Sequence, residues 1–173
     1  MSKLSQQAID VLEAKVQALE SFYSNLVQIA QLEIDRYWAV FKLRNKSILN
    51  SRSRGETDAV VGRLAPRVHK YRDRNAVRIE WVLFEPSPLR LGTTKGPKNT
   101  RQFSNAIPEP QKGFKPQTFR KHRCQEWEIK MALESERLLS PIRKVLKQTK
   151  QEIKSVKVQI KELKSSFEEN QNG

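Results

Sequence analysis

Both ends of the chain carry a long heptad pattern of apolar residues, which limits the folds open to it. A step of three and four residues predicts an amphipathic helix over residues 3–45. Ser140 and Pro141, as N-cap and first helical residue, predict the start of a second such helix. The N-terminal pattern, apolar except at Glu33, comprises Ile9, Leu12, Val16, Leu19, Tyr23, Leu26, Ala30, Glu33, Tyr37 and Val40. The C-terminal pattern, apolar except at Thr149, comprises Ile142, Leu146, Thr149, Ile153, Val156, Ile160, Leu163 and Phe167.

These apolar stripes need partners, because each buried Leu or Ile stabilises a fold by about 1.5–3 kcal/mol. We expect the two helices to pack as an antiparallel coiled coil within one chain. Pairing between chains in a homodimer is the alternative, since heptads alone do not choose between them. A further helical segment over residues 118–139 extends the expected helical C-terminal region to residues 118–168.

The centre of the chain predicts a β-hairpin over residues 60–84. Val60 to Tyr71 and Ala76 to Phe84 have strand character, and the second segment alternates apolar and polar residues. The connector, residues 72–75, contains Asp and Asn, which tolerate tight turns. Pro66 cannot donate to a β ladder, so the first strand is expected at a sheet edge. The expected fold is α+β, mostly helical, with one domain over residues 1–173.

A long basic loop is expected over residues 86–117. Six of the chain's eight prolines fall in this segment, and that density of prolines opposes regular structure. Phe103, Phe114 and Phe119 interleave with basic residues, a pattern that suits base stacking beside phosphate contacts. The same rings would equally serve to pin the loop to the core.

Positive charge is concentrated in the middle of the chain. Residues 42–123 carry 20 basic and six acidic side chains, so they account for the whole formal net charge of +14. This concentration predicts a polyanionic partner, and we favour nucleic acid over an acidic protein or a membrane surface. Arg63 and Arg67 share one face of the first strand with His69. This face would either contact double-stranded DNA or be an ordinary solvent-exposed face of the strand.

The predicted nucleic-acid contacts are the basic side chains of the hairpin, the loop and the start of the helical C-terminal region. They are Arg63, Arg67, Arg72, Arg74, Arg78, Arg90, Lys95, Lys98, Arg101, Lys112, Lys115, Arg120, Lys121 and Arg123.

No group of residues predicts catalysis, a metal or a cofactor. His122 and Cys124 lack the further ligands of a zinc site, and residues 92–96 lack the ending of a nucleotide-binding glycine loop. The carboxylates are scattered, whereas a nuclease requires a cluster that holds metal ions. We therefore expect a protein that is not an enzyme.

The sequence also predicts a cytoplasmic protein without a membrane anchor. Its apolar runs, such as Trp81 to Phe84, are far shorter than the roughly 20 residues of a membrane span. Asp10 and Glu13 interrupt any signal-peptide pattern. Cys124 is the single cysteine, which suits a reducing compartment.

Four short segments, in this order, resemble the MobI family of conjugative transfer proteins of plasmids and integrative conjugative elements. They are Glu33–Trp38, Gly62–Val68, Ile79–Trp81 and Trp127–Glu128. The resemblance implies an accessory factor that binds the origin of transfer and assists recruitment of the relaxase or nicking by it. The Pro-rich segment before Phe114 does not align, so its contacts rest on its chemistry alone.

The same sequence features are compatible with two other functions. An RNA-binding or ribosome-associated module would also use a basic loop with aromatic residues. A coiled-coil adaptor would use its basic segment to dock an acidic protein, without nucleic acid.

Overall fold

The computed structural model describes residues 3–70, 77–84 and 104–169, and this part of the chain forms three helices and three strands. The mostly helical α+β class is therefore confirmed. In chain order, the elements are α1 (Lys3–Ser53), β1 (Leu64–Lys70), β2 (Val77–Phe84), β3 (Ser104–Ile107), α2 (Pro116–Lys121) and α3 (Glu126–Glu169).

The chain divides into two compact units. Met1–Ile29 and Pro141–Gly173 form one, which we call the helical unit, and Ala30–Ser140 form the other, which we call the sheet unit. Helices α1 and α3 each contribute a segment to both units. That the chain is a single domain stays a prediction.

In the helical unit, α1 and α3 run antiparallel. Lys157 Nζ lies 2.7 Å from Glu20 Oε1, and Lys164 Nζ lies 2.8 Å from Glu13 Oε1, so numbering rises along one helix as it falls along the other. These ion pairs are exposed and stabilise the unit little. Its stability comes from the apolar stripes that the heptads predicted, with Ile9, Val16, Ile142, Leu146 and Val156 buried. None of the described helices is apolar enough over a sufficient length to cross a membrane.

Two expectations about the C-terminal region are wrong. No helix begins at Pro141, because α3 runs through it. Leu139 and Ile142 are both buried, so the apolar stripe continues across the proline and its packing offsets the missing N–H. The helical segment expected from residue 118 is instead interrupted, because α2 ends at Lys121 and Arg123 adopts a φ of 55°.

The sheet has the order β1-β2-β3, and both neighbouring pairs are antiparallel. The predicted hairpin is confirmed, and Pro66 lies on an edge strand, opposite Trp81. The connector, residues 72–75, lies outside the described residues.

The expectation of a structureless loop over residues 86–117 is wrong at two places, and residues 86–103 lie outside the described part. Ser104–Ile107 form β3, which is too short for alternation to reveal. Pro116 opens α2, where its missing N–H costs nothing.

Trp81 is the centre of the sheet unit and is fully buried. Its ring makes edge-to-face contacts with Tyr37, at 5.3 Å between centroids, and with Phe119, at 5.6 Å. Helix α1 presents Ile34, Tyr37 and Phe41 to this core. The heptad pattern predicts that Val40 is buried, and this is wrong, because its side chain is 44% exposed. A straight helix drifts from a strict seven-residue repeat, which moves the buried stripe onto Phe41.

Side chains of α1 form hydrogen bonds with the backbone of β1, and of the residues before it, along the edge that is not paired with β2. We call this the capped edge of β1. Asn45 Nδ2 donates to Gly62 O at 3.1 Å, and Gly62 N donates back to Asn45 Oδ1 at 2.7 Å. Tyr37 Oη donates to Leu64 O at 2.8 Å, and Trp38 Nε1 donates to Pro66 O at 3.0 Å. Alternate residues of an extended chain point their backbone groups to one edge. Helix α1 therefore takes the place of a neighbouring strand.

The carboxylate of Glu128 completes this edge from α3. Glu128 is 1% exposed, and its Oε1 accepts hydrogen bonds from the backbone N–H groups of Arg63 and Leu64. Its Oε2 accepts the N–H of Gln125 at 2.7 Å. Gly62 permits the approach, because a Cβ there would lie 2.6 Å from the Trp127 ring and 2.8 Å from Glu128 Oε1.

We expect Glu128→Gln to lower the free energy of unfolding by about 2–3 kcal/mol. The carboxylate accepts hydrogen bonds through both of its oxygens, whereas the glutamine side chain has one acceptor oxygen. Its NH2 group would therefore face a backbone N–H group, and two donors would oppose each other. Urea unfolding followed by circular dichroism measures the change. The control is Glu126→Gln, which alters an exposed carboxylate of the same turn and should change stability little. Equal stability of the two variants would contradict this assignment.

Stability should also respond to acid through Glu33. Its carboxylate accepts two hydrogen bonds from Arg36, both 2.8 Å, and one from Ser135 at 2.6 Å. The bonds from Arg36 lower the pKa of Glu33 below its ordinary value of 4.5, and burial opposes that shift in part. Folding thus favours the carboxylate, so its contribution is fully present above the unfolded pKa and is lost as pH falls through the lowered pKa.

The stability advantage of the wild type over Glu33→Gln should therefore be present at pH 7 and should shrink as the pH falls below about 4.5. Urea unfolding at several pH values tests this. Glu134→Gln, an exposed neighbour 3.7 Å from Arg36, is the control. An advantage that stays constant from pH 7 to pH 3 would exclude this role for Glu33.

Candidate nucleic-acid interface

The structure describes eight of the fourteen basic residues predicted to contact nucleic acid. Those outside the described residues are Arg72, Arg74, Arg90, Lys95, Lys98 and Arg101. Those described are Arg63, Arg67, Arg78, Lys112, Lys115, Arg120, Lys121 and Arg123.

Two of the strand arginines hold the sheet unit together. Arg67 Nε donates to Glu80 Oε1 at 2.7 Å, and its Nη1 donates to Ser104 Oγ at 2.7 Å, so this one side chain links the three strands. Arg63 Nη2 donates to the carbonyl of His122 at 3.2 Å, which ties the start of β1 to the end of α2. Both arginines are half-buried, whereas Arg78 is exposed.

A second group surrounds α2, and we call it the basic α2 surface. Its members, all exposed, are Lys112, Lys115, Arg120, Lys121 and Arg123.

The core holds the basic α2 surface in place through two aromatic rings. Phe119 is fully buried against Trp81 and stacks on Phe114 at 5.4 Å between centroids. Of the two roles left open for these rings, Phe119 therefore has the second, because its buried ring pins this segment to the core and cannot stack on a base. Phe103 lies outside the described residues.

Within this surface, Arg120 has an acidic partner. Its Nε lies 2.8 Å from Glu126 Oε1, and this hydrogen-bonded pair raises the pKa of Arg120 and lowers that of Glu126. Arg123 sits in the turn after α2 with a φ of 55°, a region that favours glycine. Its N–H donates to Arg120 O at 2.9 Å, and the N–H of Cys124 donates to Phe119 O at 3.3 Å.

One exposed arginine of α1 was not predicted from the sequence. The Arg44 guanidinium lies 4.8 Å from the centroid of the Trp127 ring, a cation–π contact. Trp127 also packs against Gly62, which precedes Arg63. The sequence did contain a signal, because Lys42, Arg44 and Lys46 follow one another where the N-terminal heptads end.

The chemistry of this region is electrostatic. Exposed guanidinium and ammonium groups neutralise phosphates and hold a nucleic acid in position, without reading its sequence. Burial raises the pKa of the half-buried Cys124 thiol to about 12, so the thiol stays protonated at neutral pH. Among the described residues, no three His, Cys, Asp or Glu side chains come together to hold a metal ion.

Comparison with known proteins yields one match. A family model described as MobI protein matches residues 26–157, which is more than half of the chain. No curated protein and no solved structure matches the sequence. The matched span includes the whole sheet unit, with the capped edge of β1 and Glu128.

Proposed function

The chain belongs to the MobI family, and from this we propose that it is a DNA-binding accessory factor for conjugative transfer. In this proposal it binds double-stranded DNA at the origin of transfer and assists recruitment of the relaxase or nicking by it. Family membership supports a role in conjugative mobilisation. We further propose that the chain has no catalytic role of its own and acts in the cytoplasm, where the DNA is.

The basic α2 surface is the observation that carries the DNA contact. It presents five exposed basic side chains within residues 112–123, a stretch that contains no acidic residue. Each phosphate that such a group neutralises releases condensed counterions, which favours binding. Because Phe119 anchors the segment, little conformational entropy is lost when DNA binds there.

Sequence preference requires contacts with base edges. We propose that Arg78 of β2, whose side chain is exposed, contributes such a contact.

The double variant Lys121→Gln/Arg123→Gly tests the basic α2 surface. We expect it to reduce the slope of log K against log salt by about two, since each lost phosphate contact removes about 0.9. Fluorescence anisotropy with labelled origin-of-transfer duplex over a salt series measures this slope. Glycine relieves the positive φ at position 123, so the stability of the fold should not fall.

The matched control is Lys130→Gln/Arg137→Gln, which removes two exposed charges elsewhere in the sheet unit. Equal slopes for the double variant and the wild type would exclude the basic α2 surface as a DNA contact. A scrambled duplex, single-stranded DNA and RNA of equal length complete the series. Tighter binding to RNA than to duplex would replace the proposed function with an RNA-binding one.

We also propose that the protein forms a homodimer through an exposed face of α1. In the helical unit this face presents Leu4, Val11, Phe22 and Ile29, which are 77%, 69%, 47% and 45% exposed. Spacings of seven and eleven residues place them on one side of a helix. The intervening residues of that side are Ala8, Lys15, Ala18 and Asn25, and the charge of Lys15 is offset by Glu152, whose Oε1 lies 2.8 Å from its Nζ. The relaxase, as a second protein partner, is proposed from family membership.

Sedimentation velocity tests the homodimer. The wild type should sediment as a dimer, and Val11→Glu should shift it towards monomer, because the new charges would be buried against each other. Leu49→Glu, which alters another exposed apolar side chain of α1, should leave the dimer intact. A monomeric wild type at tens of micromolar would rule out the dimer.

A further inference from the structure

Helix α3 carries a line of basic residues that the charge count by segment conceals. Residues 124–173 contain ten basic and eight acidic side chains, an almost neutral balance. Seven of the basic residues nevertheless recur at a strict spacing of four and three. This set, which we call the lysine stripe, comprises Arg143, Lys147, Lys150, Lys154, Lys157, Lys161 and Lys164.

The lysine stripe occupies one side of α3 within the helical unit. At about 100° per residue its members fall within an arc of roughly 100°, and the line is about 30 Å long at about 1.5 Å per residue. Glu152 and Glu162 fall on a different side of the helix by the same count. Between Arg143 and Lys164, this side of the helix therefore contains no acidic residue of α3.

Part of the stripe is neutralised across the helix pair and part is not. Lys157 and Lys164 form ion pairs with Glu20 and Glu13 of α1. Four members are exposed and form no ion pair with another described residue: Lys147, Lys150, Lys154 and Lys161.

An ordinary solvated helix face does not explain this arrangement. Opposite charges at a spacing of three or four residues stabilise a helix by a few tenths of a kcal/mol per pair, and like charges destabilise it by similar amounts. The stripe places like charges at every such spacing from Lys147 to Lys164. A bound polyanion would remove this repulsion.

We propose that the lysine stripe is a second DNA contact, which holds the phosphates of a duplex without reading its sequence. Lysine suits this role, because its ammonium group is a point charge that accepts varied phosphate geometry. The line of about 30 Å matches about nine base pairs at 3.4 Å each. This inference rests on the proposed function only in that both surfaces would serve the same DNA.

The packing of the helix argues against a membrane surface as the partner. An interfacial helix inserts its apolar face into the lipid boundary. The apolar face of this segment is occupied, because Ile142, Leu146 and Val156 are buried in the helical unit.

The test compares two triple variants of the full chain. Lys147→Gln/Lys154→Gln/Lys161→Gln removes three exposed charges of the stripe. Lys130→Gln/Arg137→Gln/Lys144→Gln removes three exposed charges of α3 at the same spacing of seven, on another side of the helix. Anisotropy with a labelled 30-base-pair duplex of arbitrary sequence, over 50–300 mM salt, gives the slope of log K against log salt.

We expect the stripe variant to lower that slope by about 2.7 and the control variant to lower it by less than one. An unchanged slope in the stripe variant, or an equal loss in both variants, would overturn the proposal. Circular dichroism should show the same helix content in both variants. Binding of the wild type to vesicles of anionic lipid in preference to DNA, abolished in the stripe variant, would also overturn it.

The outcomes separate this proposal from the previous one. A wild type that binds no duplex removes both. If Lys121→Gln/Arg123→Gly weakens binding and the stripe variant does not, the lysine stripe is not a DNA contact and the basic α2 surface remains one. The converse result leaves the stripe and removes the basic α2 surface.

Discussion

The sheet unit depends on one buried carboxylate, that of Glu128. A buried charge is costly unless hydrogen bonds satisfy it, and Glu128 obtains three from the backbone of Arg63, Leu64 and Gln125. These bonds place the first turn of α3 against the start of β1, and the absence of a side chain at Gly62 leaves room for them. Helix α3 therefore lies against β1, the strand that pairs with β2, which carries Trp81.

The elements that the sequence predicts well are those with a long periodic signal. The heptads identify both long helices, and alternation identifies β2. Other features depend on contacts that no local pattern contains. β3 has four residues and exists because β2 offers it a partner, Pro141 is tolerated because buried residues flank it, and the role of Arg67 is set by the register that brings Glu80 opposite it. The lysine stripe becomes visible only when charges are counted by helix face.

The four segments that carry the family resemblance meet in three dimensions. Tyr37 and Trp38 bond to β1, Gly62 packs on Trp127, and Trp81 contacts Tyr37. The family pattern thus marks the packing centre of the sheet unit. The exposed basic residues lie outside that centre, where side chains can change without altering the fold. Family membership and the proposed DNA contacts can therefore diverge within one scaffold.

The capped edge of β1 has a consequence for how the protein behaves when crowded. An open strand edge is a template on which another molecule can add a strand, and sheets that recruit strands in this way grow into aggregates. Here Asn45, Tyr37 and Trp38 occupy the carbonyl groups of Gly62, Leu64 and Pro66, which an incoming strand would need at this part of the edge. Pro66, within the same edge, has no N–H to offer. Copies that gather on DNA, as proposed above, therefore find no free carbonyl for strand pairing at this part of the edge.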